Sequence, residues 1–89
     1  MGNEYIVVVF QNDGIGYTLQ TDDRCYWAFS HHAKIYKRFG MAKKAVSRMK
    51  SKYSYKRIVV YDITDVKSIS CSFFKDWEDK IVFEISKIG

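Results

Sequence analysis

An α+β fold, an antiparallel-rich sheet with one main amphipathic helix packed on one face, follows from three features of the sequence. Residues 5–11 and 57–63 are dense in Ile and Val, with apolar residues at both parities. Such runs form strands buried on two sides. Between them Ala42, Ala45, Val46 and Met49 recur at helical spacing, making one apolar stripe of a helix. Asn12-Asp13-Gly14 follows the first run directly, and Asp and Gly tolerate the positive φ of a tight hairpin turn.

The elements follow in order. Residues 5–11 form a central strand, and residues 15–20 return from the hairpin as a second. Asp22-Asp23 turns the chain into a short third strand at 25–29. Residues 30–39 are open to two readings: a short strand with a loop, or an early helical turn capped by Ser30. The helix then runs over 41–52, with Gly40 at its N-terminal boundary. Residues 57–63 make another central strand, 62–65 a turn and 66–73 a further strand. A charged loop at 75–79 leads to a last strand at 80–86, where Ile81, Phe83 and Ile85 share one side. Proline is absent from the chain, and no repeat or linker interrupts it, so residues 1–89 are expected to form one compact domain.

Composition excludes several classes. Hydrophobic content of 47% is too high for a disordered chain. No apolar run approaches the ~18 residues that span a bilayer. The short apolar stretch after Met1-Gly-Asn-Glu4 lacks a basic flank and the length of a signal peptide, so a cytoplasmic location is expected. Cys25 and Cys71 then read as small buried apolar residues, not a disulfide. Aromatic residues make up 17%, more than so small a core needs. Some are therefore expected on a second sheet face or an interface, and Trp27, Phe29, Phe73, Phe74 and Trp77 would serve a homodimer through an aromatic sheet face.

Charge is the most informative feature. Residues 1–23 carry four acids and no Lys or Arg, whereas residues 24–61 carry eleven bases and no acid. Surfaces built for solubility mix signs, and lysine-rich helices ordinarily pair Glu with Lys one turn apart. The acid-free run points to a positive field suited to an anionic macromolecule, either an acidic protein surface or a nucleic-acid-containing complex. Lys43 and Lys44 stand beside the N–H groups of the helix N-terminus, and Arg48 follows one turn on. Lys34, Lys37 and Arg38 precede the helix. Tyr36 and Tyr53 would supply packing area. The alternative is a solvated face with Lys placed for helix propensity.

Catalytic and cofactor chemistry lack their usual patterns. Gly14-Ile-Gly16 sits in a hairpin and opens no helix, so it is not a phosphate loop. Cys25, His31, His32 and Cys71 match no zinc spacing. Cys25 and His31 have no nucleophile elbow or oxyanion turn around them, and a deep pocket is not expected in so short a chain. No enzyme, metal or cofactor is expected. Among nucleic-acid modules, Gly40 to Val46 is locally similar to the lysine-bearing helix start of double-stranded RNA-binding domains. Those domains place that helix last, whereas strands follow it here. The strand at 57–63 lacks the Gly-aromatic pattern of an RNA-recognition motif.

The stretch from Trp27 to Ala45, with its Ala33-Lys-Ile-Tyr-Lys37 step and its paired lysines, lies after a hairpin and before a Val-rich strand. This layout resembles small phage-encoded accessory proteins of unassigned role, over about half the chain. The resemblance implies a stoichiometric binder of host machinery or of a defence complex such as a CRISPR effector. A direct, weakly sequence-specific DNA- or RNA-binding protein is the second expectation, and a self-associating structural domain the third.

Overall fold

The computed structural model describes residues 3–21, 24–27, 34–65 and 78–87. The elements are β1 (Tyr5–Phe10), β2 (Gly16–Thr21), β3 (Arg24–Trp27), α1 (Phe39–Lys52), β4 (Arg57–Asp62) and β5 (Ile81–Ser86). The five strands form one sheet in the order β3-β2-β1-β4-β5, and every neighbouring pair is antiparallel. The α+β class and the packing of the helix on one sheet face are therefore as the sequence indicates. The strand expected at 66–73 and the residues Phe29, Phe73, Phe74 and Trp77 lie outside the described residues. No helix among the described residues is long and apolar enough to cross a membrane.

The two Val/Ile-rich runs become the sheet's centre. β1 and β4 pair along their whole length, from Tyr5 opposite Asp62 to Phe10 opposite Arg57. Strand alternation sends Tyr5, Val7, Val9, Ile58 and Val60 to one face, where Leu19 and the helix residues Ala42, Ala45, Val46 and Met49 complete a core cluster. Ile6, Val8, Phe10, Val59, Tyr61 and Ile63 form a second buried cluster on the other face. Each fully buried Val or Ile contributes roughly 1.5–3 kcal/mol, which explains why these two strands hold the middle of the sheet.

The hairpin between β1 and β2 turns at Gly14, whose φ of 84° suits glycine. The Asp13 carboxylate accepts the Ile15 N–H at 2.9 Å. β2 pairs with β1 only at its start, Gly16–Thr18 against Val8–Phe10. Beyond that, residues 34–36 run beside both strands. Lys34 N–H donates to the Leu19 carbonyl, and Tyr36 exchanges two backbone bonds of 2.9 Å with Tyr5. Residues 34–36 of the ambiguous 30–39 stretch are thus extended, whereas Phe39 already belongs to the helix.

The helix starts at Phe39, two residues before the expected Met41. Arg38, not Gly40, is the N-cap, with extended φ and ψ of −124° and 133° and no side-chain cap. The reason is tertiary. The Phe39 ring packs 5.7 Å from Tyr5 and 6.2 Å from Phe83, and that anchoring draws the first turn forward.

Candidate partner-binding surface

The helix buries Ala42, Ala45, Val46 and Met49 and packs Phe39 against the sheet, so beyond Gly40 its remaining positions face outward. Those are Met41, Lys43, Lys44, Ser47, Arg48, Lys50, Ser51 and Lys52, and the helix contains no acid. With about 100° of rotation per residue, Lys43 and Lys50 fall on one flank of the apolar stripe. Arg48 and Lys52 fall on the other, about 140° or more away. Lys44 falls between them, about 40° from Arg48, so the cations spread around the exposed side of the helix and do not share one face.

On the first flank the helix meets β5. Lys43, Lys44, Val46, Ser47 and Lys50 line a groove of about 230 Å³ with Phe83 and Ile85. The Lys43 ammonium lies 5.1 Å from the Phe83 ring centre and 5.7 Å from that of Phe39. These cation–π contacts hold its stem against the apolar floor while the charge stays in water. Lys43, Lys44 and Lys50 have no carboxylate partner among the described residues.

On the second flank Lys34, Ile35, Tyr36, Lys37, Arg38 and Met41 line a separate hollow of about 330 Å³. Its charge is partly neutralised, because Lys37 pairs with Glu4 at 2.9 Å. Arg48 turns toward this side, donating from Nη2 to the Tyr36 hydroxyl at 3.4 Å. Lys34 lies 5.6 Å over the Tyr36 ring.

The sequence grouped Lys34, Tyr36, Lys37, Arg38, Lys43, Lys44, Arg48 and Tyr53 as one face. The structure brings Lys43 and Lys44 together in the groove and gathers Lys34, Tyr36, Lys37, Arg38 and Arg48 on the opposite flank. Two tyrosines need correction. Tyr36 is only 5% exposed and belongs to the core, because its backbone pairing with Tyr5 turns the ring under the helix. It offers a partner no free face. Tyr53 is half-buried, packs on the same core and carries Lys52 over its ring. Lys50, Phe83 and Ile85 were missed as site residues. The alternation of 81–86 does mark Phe83 and Ile85 as one face, but nothing local shows that this face lies under Lys43.

Spatial pairing also tempers the acid-free run. Arg57 stacks 4.6 Å from the Phe10 ring centre. It bonds Glu84 at 3.1 Å and Glu78 at 3.0 Å, so it serves the sheet and not a partner. Partial burial works to lower the guanidinium's pKa, but its bonds to Glu78 and Glu84 outweigh this and raise it. Burial pushes the phenol of neighbouring Tyr61 up, against a weaker downward pull from Arg57.

Among the described residues no group of three or more His, Cys, Asp or Glu side chains could hold a metal ion. His31, His32 and Cys71 lie outside those residues, and of Cys25 only the backbone position is described. No family model, curated protein or solved structure matches the chain. The described surface sets point charges on flexible stems around an apolar floor.

Proposed function

We propose that this chain is a non-catalytic, phage-type binding protein that blocks a host or defence factor by docking the α1–β5 groove on an acidic protein surface. The observation that carries the reading is the groove itself. Three lysines without a carboxylate partner among the described residues surround Phe83 and Ile85. The layout similarity to small phage-encoded accessory proteins supports the phage origin.

The placement of the tyrosines favours a protein partner over a single-stranded nucleic acid. Binding unpaired bases relies on exposed aromatic faces, worth roughly 1–3 kcal/mol per base. Tyr36 is buried and Tyr53 and Tyr55 pack against the core. The exposed large apolar residues of the described chain are aliphatic or Met: Ile15, Met41 and Val82.

Fluorescence anisotropy tests this with three labelled probes: poly-glutamate, single-stranded DNA and duplex DNA, at low and physiological salt. Poly-glutamate is expected to bind and the triple variant Lys43→Glu/Lys44→Glu/Lys50→Glu to lose it at least tenfold. Tighter binding of either DNA at physiological salt, lost in the same variant, would make nucleic acid the partner instead.

A further inference from the structure

Exposed ion pairs are weak, so three lysines supply only about a tenfold gain in affinity. The remaining affinity must come from apolar contact and backbone pairing, and β5 offers both. Among the described strands it is the last of the sheet, with β4 as its neighbour. Its ladder parity follows from Lys87 N–H donating to the Lys56 carbonyl at 3.0 Å. Residues two and four positions back, Ile85 and Phe83, then direct their backbone groups at β4, while those of Glu84 and Ser86 point away from it. No strand among the described residues takes that outer edge. Val82, on the same edge, is 45% exposed.

We infer that the outer edge of β5 receives an extended segment of the partner as an added strand, with acidic residues on the helix side and apolar residues on the other. This rests on the reading of the lysine groove as the docking surface. The two faces of the edge set the pattern. On the helix side an added strand meets the rim of Lys43, Lys44 and Lys50. On the opposite side it meets Glu84, whose charge Arg57 neutralises, and the exposed Val82 at the register shift of the ladder. Strand addition draws affinity from main-chain bonds and specificity from alternate side chains. A second copy of this chain is the competing occupant, and charge argues against it. Edge-to-edge pairing of two β5 strands would bring two lysine rims together on chains that each carry +5. Lysines beside an edge repel a cationic copy, and the same lysines admit an anionic strand.

The test uses a fluorescein-labelled peptide of four Glu-Val repeats and two analogues, N-methylated at alternate residues in each phase. All three carry the same charge. Strand addition predicts that the unmodified peptide binds, that one methylated phase loses at least tenfold, and that amide exchange at Glu84 and Ser86 slows on binding. The variant Ser86→Pro removes an outward donor without touching the β4 ladder and is expected to lose at least tenfold for this peptide but not for poly-glutamate. Equal binding of all three peptides would overturn strand addition while leaving the lysine groove intact. Failure of both the peptide and poly-glutamate would sink the two readings together. A peptide-free dimer with Glu84 and Ser86 already protected would assign the edge to a second copy.

Discussion

Thr18 lies opposite Val8 in the ladder and is fully buried. Its hydroxyl oxygen meets no hydrogen-bond partner among the described residues. An unsatisfied buried hydroxyl costs roughly 1–3 kcal/mol, so Thr18→Val, similar in shape and better as a strand residue, is expected to raise stability by about 1 kcal/mol in urea unfolding. Tyr61 makes a second prediction, through pH. Burial lifts its phenol above the ordinary value of 10.0. The unfolded chain therefore loses this proton first as pH rises. Stability is full below about pH 10 and falls above it, by up to about 1.4 kcal/mol per unit. Tyr61→Phe should flatten that alkaline decline relative to the parent. These residues also show where sequence reading stops. Tyr61 sits in an evident strand and its burial follows from the pattern. Tyr36 sits in a stretch without periodicity, and only its bridge to Tyr5 reveals that it is core.

Among the elements, α1 was the most legible, because its stripe of Ala42, Ala45, Val46 and Met49 is a local signal. Its start was not, because the anchoring of Phe39 depends on Tyr5 and Phe83, far away in sequence. β1 and β4 were legible from residue type alone, and β5 only in part: a register shift in its ladder with β4 puts Ile81 against the opposite cluster from Phe83 and Ile85, which simple alternation does not show. The helix also leaves stability unused. It has no side-chain N-cap and no acid in its first turn, where an Asp cap is worth about 1 kcal/mol and favours the helix dipole. Arg38→Asp is expected to stabilise the chain by about that much in thermal or urea unfolding.

Across the whole molecule, the segregation of charge was plain in the sequence but its geometry was not. A helix is a cylinder, so Lys43 and Lys50 diverge from Arg48 and Lys52, and one linear run of bases becomes two groups. Folding also returns acids to the basic segment: Glu4 to Lys37, and Glu78 and Glu84 to Arg57. The α1–β5 flank keeps its charge, and there the lysines adjoin the last described strand of the sheet. Affinity for an anionic probe should accordingly fall with ionic strength and should fall far more on reversing Lys43, Lys44 and Lys50 than on reversing Lys34, Lys37 and Arg38. The most direct test of the groove as the docking surface is an amide NMR titration of isotope-labelled protein with the acidic Glu-Val peptide. Shifts clustered at Lys43, Lys44, Ser47, Lys50 and along β5 are the predicted result. Shifts confined to residues 34–38, or spread evenly over the basic surface, would contradict it.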